Sequence, residues 1–387
     1  MRKLQMVDLK SQYEPLKAQI QASLDDVFES AAFINGPEVQ HFQKELEAYL
    51  GVKHVIPCAN GTDALQIAMM GLDLKEGDEV ITADFTFAAT VEVIALLKFT
   101  PVLVDVDPDT FNISIEAIKK AITPKTRAIV PVHLFGQCAQ MDAIMEIAKA
   151  HDLYVIEDNA QAIGANYTSA NGSKQKAGTI GHVGATSFFP SKNLGCYGDG
   201  GAIFTNDDKL AHILRGIVNH GMYERYHHDV VGVNSRLDSI QAAILRAKLP
   251  HLDTYNRARQ KAAAAYNRAF AACKDLVTPV TVSESCDKSN GLCQNCDCHV
   301  FHQYTLRVQN NRRDDLAKHL QERGIPFGIY YPIPLHVQKA YADARYNDAD
   351  FPVTNLLSKE VISLPMHSEL DSEQIDYITQ TILDFLQ

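Results

Sequence analysis

Between residues 54 and 205 short apolar runs alternate with amphipathic stretches, and that alternation constrains the fold more than any other feature of the chain. Runs near 54–57, 79–82, 101–106, 128–132 and 153–157 read as strands buried on both faces, while 88–98 and 142–150 between them carry helical spacing. A strand that returns parallel to its predecessor needs a long crossover, usually a helix. The expected architecture is therefore α/β, with a large, mostly parallel sheet. Further strands at 184–189 and 201–205 bracket a glycine-rich loop and anchor it at both ends. Ahead of the sheet, Tyr13, Leu16, Ile20, Leu24, Val27 and Phe28 recur at helical intervals, Gly36-Pro37 punctuates, and a second helix spans 38–49.

A second unit follows. The stretch 237–270 is glycine-poor and rich in Ala, Arg and Leu, which predicts a long helix kinked near Pro250 that bridges two units. Beyond it, 302–308 alternates like a strand, 314–323 is helical, 325–331 is strand-like and 373–386 closes the chain as a helix. We therefore expect a large α/β domain over 1–250, including the opening helix, and a smaller α+β domain over 251–387 that contains a cysteine-bearing loop at 286–298.

Composition excludes several function classes. With 36 Lys and Arg against 47 Asp and Glu, the formal charge is −11 and no basic stripe forms, which disfavours nucleic-acid and membrane-surface binding. The amino terminus lacks an apolar signal core, and no stretch approaches the roughly 20 apolar residues of a membrane span, so a soluble cytoplasmic protein is expected. Cys286, Cys293, Cys296 and Cys298 crowd one segment ahead of His299 and His302. Such a cluster suits a bound metal or an insertion with incidental thiols; its loop-like surroundings and irregular spacing favour the insertion, and its removal should leave the main reaction intact.

The chemistry centres on Lys192, in the loop 187–201, and on Asp158, at the end of the apolar run 153–156. A lysine amine forms a Schiff base with a carbonyl cofactor, and a pyridine ring that withdraws electrons needs an acid beside its nitrogen. The pair suggests pyridoxal 5'-phosphate. A strand ending in Asp158 delivers its carboxylate to the carboxyl edge of the sheet, where open α/β sheets bind ligands. Taken singly, the two residues read more readily as an exposed loop lysine and an ordinary strand cap. Three further groups support the cofactor. Gly61 and Thr62 open a helix whose amino end favours a phosphate. Phe87 offers a face to stack on a pyridine ring, although an aromatic at such a junction is more often core. Gln161 lies three residues beyond Asp158, within reach of a ring hydroxyl.

These motifs resemble the DegT/DnrJ-type nucleotide-sugar aminotransferases, within the aspartate-aminotransferase fold of pyridoxal phosphate enzymes (fold type I). The likeness covers nearly the whole chain and rests on segments 60–65, 86–90, 156–161, 187–201, 232–238 and 331–336. It implies that Lys192 carries the cofactor as an imine, Asp158 pairs with the ring nitrogen, Gln161 contacts the ring oxygen, and Gly61, Thr62 and Ser187 hold the phosphate. Asn234 would reach the phosphate of a neighbouring subunit, making the active unit a homodimer with shared sites. L-glutamate would donate the amino group and a keto sugar would receive it.

Within the family the sequence is most similar to enzymes acting on UDP-2-acetamido-2-deoxy-ribo-hex-3-uluronic acid, on the way to O-antigen-type surface polysaccharide, with Arg225-Tyr226-His227-His228 carrying much of that likeness. A uronate brings a carboxylate, for which a fixed guanidinium is the best-matched partner, so Arg236 is the leading candidate; it reads equally as a brace for the long helix. Ser191 and Tyr331 are expected in the sugar and nucleotide pocket, as are Phe33 and Tyr330, which stand where relatives can carry tyrosine and histidine. The runner-up acceptor is a dTDP-linked 3-keto-6-deoxyhexose. A sugar dehydratase of the same cofactor class typically replaces the lysine by histidine, which Lys192 argues against, and a non-catalytic regulator would have no need of the full cofactor set.

Overall fold

The computed structural model describes residues 1–281 and 297–386. Its centre is a seven-stranded sheet built from β1 (His54–Cys58), β2 (Glu79–Ala83), β3 (Thr100–Val104), β4 (Thr126–Val130), β5 (Tyr154–Asp158), β6 (Val183–Ser187) and β7 (Gly201–Thr205), in the spatial order β1-β7-β6-β5-β4-β2-β3. Four neighbouring pairs, β6 with β5, β5 with β4, β4 with β2 and β2 with β3, are parallel. Only β7 runs against the others, pairing antiparallel with β1 on one side and β6 on the other. Every side chain of β7 is buried, because helices cover both faces, so its apolar run carries no sign of its direction.

The register places the chemistry. Ser187 pairs with Gly201, and Gly201 pairs with Cys58, so the carboxyl ends of β1 and β6 and the start of β7 meet at one edge. The carboxyl end of β5 adds Asp158 to that edge. The whole loop 188–200 therefore leaves and re-enters the sheet at adjacent points, as its flanking strands predict.

The expected long helix is two helices. Ser239–Lys248 and Leu252–Phe270 are joined by a 3-10 turn at Leu249–His251. Pro250 has no N–H to offer an α-helical ladder but suits the first turn of a new helix, which is where it sits. The second helix packs Tyr266 and Phe270 against a three-stranded antiparallel sheet of Leu276–Val277, Tyr304–Val308 and Val361–Leu364, and against Leu316, Ile378 and Ile382 of the helices Arg313–Glu322 and Ser372–Leu386. Leu4, at the far end of the chain, joins the same cluster.

The strand-like reading of 325–331 does not survive. Only Gly328 makes a bridge, to Ser363, and the chain then turns towards the main sheet edge. What holds it there is polar. The His336 N–H donates to Asp84 Oδ1 at 2.7 Å, and His336 Nδ1 lies 2.7 Å from Asp84 Oδ2, just past the end of β2. Burial raises the Asp84 pKa while His336 opposes the shift. A buried hydrogen-bonded pair outweighs the weak strand propensity of 325–331. Cys286, Cys293 and Cys296 lie outside the described residues.

Candidate active site

A cleft of about 1010 Å³ opens at the carboxyl edge of the sheet. Of the residues expected from sequence, Gly61, Thr62, Phe87, Asp158, Gln161, Ser187, Ser191, Lys192, Tyr330 and Tyr331 line it together. Phe33, Asn234 and Arg236 do not. They form a separate strip: the Ser239 N–H donates to Phe33 O at 2.9 Å, Ile34 bridges Asp238, and Arg236 Nη2 donates to Asn234 Oδ1 at 2.6 Å.

Each wall has a local cause. Asn60 caps the helix Gly61–Gly71, its side chain accepting from the Asp63 N–H at 2.8 Å, while the Gly61 and Thr62 N–H groups precede the first intrahelical bond and have no acceptor in the helix. A Cβ at Gly61 would lie 2.6 Å from Ser187 Cβ, so only glycine lets the helix end press against β6. Thr86, 2% exposed, leaves its hydroxyl without a protein partner in the cleft wall. Phe87 is 57% exposed, which overturns the core alternative; its ring lies 6.3 Å from that of Tyr331.

Asp158 is 5% exposed and held at both oxygens, by the Thr90 hydroxyl at 2.8 Å and the Ala160 N–H at 3.1 Å. Behind it, Glu157 accepts from three backbone N–H groups, those of Gly178, Ile180 and Gly181, and from His133 Nε2 at 2.8 Å. Because the Ala139 N–H donates to His133 Nδ1, the ring proton must sit on Nε2 and point at Glu157. Gln161 accepts the Phe135 N–H at 2.7 Å and donates to the Tyr331 hydroxyl at 3.2 Å. Phe135 itself is in the left-handed region at φ 56°, a conformation that its hydrogen bond to Gln161 helps to hold.

Lys192 is partly buried on the cleft wall. Burial lowers its pKa to about 8, with Asp158 opposing the shift. The shift brings the amine's titration much closer to neutral pH than that of an exposed lysine. Burial pushes the Tyr331 phenol up, so it stays protonated. The sequence reading did not assign Thr90, Glu92, Asp199 or His302; Glu92, Asp199 and His302 line the cleft and Thr90 bonds a cleft residue. Thr90 stood inside a quoted motif, but its contact with Asp158 spans 68 residues and leaves no local signal.

The DegT/DnrJ/EryC1/StrS aminotransferase family profile matches residues 15–383. The chain belongs to that family. It is 48% identical over 98% of both chains to the "Pleiotropic regulatory protein" of Geobacillus stearothermophilus. It is 44% identical to the UDP-2-acetamido-2-deoxy-3-oxo-D-glucuronate aminotransferase of Pseudomonas aeruginosa, covering 97% of this chain and 98% of that one. It is also 44% identical to the UDP-N-acetyl-3-dehydro-alpha-D-glucosamine 3-aminotransferase of Acidithiobacillus ferrooxidans, covering 97% and 96%. In three dimensions it is similar to S. venezuelae DesV in complex with a ketimine intermediate, with a TM-score of 0.92, 37% identity and coverage of 100% and 99%. This family member is an aminotransferase that uses pyridoxal 5'-phosphate, and its fold is that of the sugar aminotransferases.

The cleft fits that cofactor. Two free N–H groups at a helix start beside Ser187 suit a phosphate, the unpartnered Thr86 hydroxyl awaits an acceptor or donor, and a lysine and a carboxylate share one cavity. Among the described residues no three His, Cys, Asp or Glu side chains form a metal-binding group, and no helix is long and apolar enough to cross a membrane.

Proposed function

We propose that this aminotransferase transfers the amino group of L-glutamate to C3 of a UDP-linked 3-keto-2-acetamido uronic acid, in the cytoplasm, for an O-antigen-type surface polysaccharide. Pyridoxal phosphate, when bound, supplies an aldehyde to carry the amino group and a ring to spread negative charge. Gly61, Thr62 and Ser187 would take its phosphate, Phe87 would cover the ring, Gln161 would meet the ring oxygen, and Asp158, fixed by Thr90 and Ala160, would pair with the ring nitrogen and favour its protonated form. Lys192 would hold the aldehyde at rest and, as a free amine, would supply and take up the proton that the transfer requires.

The charge of the cleft carries the reading of a homodimer with shared sites. Among the described residues its lining includes Asp63, Glu92, Asp158 and Asp199 but only one Lys or Arg, Lys192. A cofactor phosphate, a nucleotide diphosphate and a uronate cannot all be neutralised by one amine. The Arg236 Nε is buried without a partner among the described residues, and its Nη2 donates to the Asn234 amide rather than to a carboxylate. Phe33 and Ile34, tied to Ser239 and Asp238 in the same strip, are exposed apolar surface suited to a second copy of the chain. From there a partner's Asn234 would reach the cofactor phosphate, and Arg236 would reach the sugar carboxylate; Ser191, Tyr330 and Tyr331 line the sugar and nucleotide side.

A second reading, the same sugar without a carboxylate, is favoured by the equal identity to the glucosamine-type enzyme. Following 2-oxoglutarate release from glutamate with each keto sugar separates them. The expected result is turnover of the uronate, and Arg236→Ala slowing the uronate far more than an uncharged sugar. Turnover of only the uncharged sugar or a dTDP-6-deoxy sugar rejects the uronate, and equal losses on both remove Arg236 from recognition.

A further inference from the structure

Two aspartates stand one residue beyond neighbouring strand ends. The last pair of β2 and β3 in register is Ala83 with Val104, so Asp84 and Asp105 follow side by side at the carboxyl edge, and the Asp84 N–H donates to Val104 O at 2.9 Å. Each holds chain from far along the sequence. Asp105 accepts from the Val353 and Thr354 N–H groups at 2.9 and 2.8 Å and from the Thr354 hydroxyl at 2.8 Å, which fastens the start of the helix Pro352–Glu360. Asp84 takes hold of two adjacent residues. Its main-chain O accepts the Leu335 N–H at 3.3 Å, Oδ1 accepts the His336 N–H at 2.7 Å, and Oδ2 lies 2.7 Å from His336 Nδ1.

The surroundings leave the pair no slack. Asp84 is fully buried, His336 is 6% exposed, and the imidazole stacks on Phe351 with ring centroids 4.4 Å apart and planes 14° from parallel. Phe351 in turn packs with Val91, Leu103 and Leu335 in one buried cluster. Only the far nitrogen looks outward, with Nε2 3.2 Å from Oδ1 of the exposed Asp348. Going back along the chain from His336, Leu335, Ile333, Tyr331 and Tyr330 all line the cleft, as do Thr86 and Phe87 just after Asp84. Between Tyr331 and His336 stand Pro332 and Pro334, whose rings fix two backbone dihedrals. A stretch so stiff transmits the position of its anchored end, and the Gln161 bond to the Tyr331 hydroxyl at 3.2 Å ties the other.

We propose that Asp84 and His336 are positioning residues for the nucleotide-sugar acceptor, fixing the foot of the Tyr330–Leu335 segment and so setting the surface against which that substrate lies. The inference rests on Tyr330 and Tyr331 lining the sugar and nucleotide side of the cleft. Apolar contacts alone would let the segment slide, because they have no direction, whereas a buried carboxylate that meets both a main-chain N–H and a ring nitrogen of one residue admits a single placement. Losing the ring nitrogen leaves Asp84 Oδ2 buried beside no donor. The segment must then shift to bring water or another group to that oxygen. Its displacement reaches the acceptor surface first, since Lys192 and Asp158 are held by other elements.

Calorimetric titration of the holoenzyme with UDP, beside single-turnover measurement of the glutamate half-reaction, tests this. His336→Leu keeps an apolar group against Phe351 and removes the ring nitrogens; UDP should bind roughly 10- to 100-fold more weakly, the weight of one hydrogen bond to a charged group. Cofactor content should be unchanged, and the glutamate half-reaction should stay within about twofold of wild type. His336→Asn places an amide nitrogen near the position of Nδ1, where it can donate to Asp84, and should recover most of the UDP affinity. His336→Gln reaches towards Asp348 instead and should bind UDP as weakly as the Leu variant, which keeps the comparison decisive if Leu fails to fold. A Leu variant that binds UDP like wild type, Asn and Gln variants of equal affinity, or a glutamate half-reaction slowed as much as UDP binding is weakened overturns the proposal alone. Wild-type holoenzyme that does not bind UDP overturns it together with the acceptor reading on which it rests.

Discussion

Replacing Thr90 by valine removes one donor from Asp158 and almost nothing else. The hydroxyl lies 2.8 Å from Asp158 Oδ2, Thr90 is fully buried, and valine fills the same volume. A hydrogen bond to a charged group contributes about 1.5–3 kcal/mol, and each 1.4 kcal/mol or so is a factor of ten in rate. If that bond serves to aim the carboxylate at the cofactor ring, its loss should appear mainly in the transition state, where the ring carries most negative charge. The glutamate half-reaction, followed by stopped-flow absorbance at saturating donor, should then slow roughly 10- to 100-fold. The Ala160 N–H still holds Oδ1, so cofactor binding should survive. A variant within about twofold of wild type would refute the reasoning, because a bond of that strength cannot be lost silently from the transition state. A slow variant that had also lost its cofactor would make Thr90 a binding residue only.

Gly61→Ala should weaken cofactor binding by about tenfold or more, since the new Cβ lies 2.6 Å from Ser187 Cβ and neither backbone yields cheaply; equilibrium titration of the cofactor-free protein measures it, and unchanged affinity contradicts the close approach. Lys248 is fully buried, with Nζ 2.5 Å from Gly195 O in the Lys192 loop, and burial lowers its pKa from 10.5 to about 8. The folded state then binds fewer protons than the unfolded state between those values, so stability rises with pH across that window, by about 3 kcal/mol in all. The unfolding free energy of wild type minus Lys248→Met should climb accordingly, and a flat difference would show that burial does not lower the Lys248 pKa and that the amine stays charged across the window.

Much of this was legible in the sequence because strands and crossover helices impose their own periodicities. The loop around Lys192 stood out for the same reason, lying between two apolar runs that pair with each other. What stayed hidden depends on long-range contacts. The reversed direction of β7 leaves no trace in a fully buried strand, and the 325–331 segment reads as a strand until Asp84, some 250 residues away, binds His336. Thr90 was in plain view, inside a motif. The place of Thr90 in the site follows only from a partner distant in sequence, Asp158.

The central claim, that Lys192 and Asp158 form one cofactor site in this cleft, is tested most directly by trapping. Holoenzyme reduced with borohydride, digested and mapped by mass spectrometry should carry a single pyridoxyl group, on the peptide containing Lys192. A label on another lysine, or no label on protein that retains its cofactor, would contradict it.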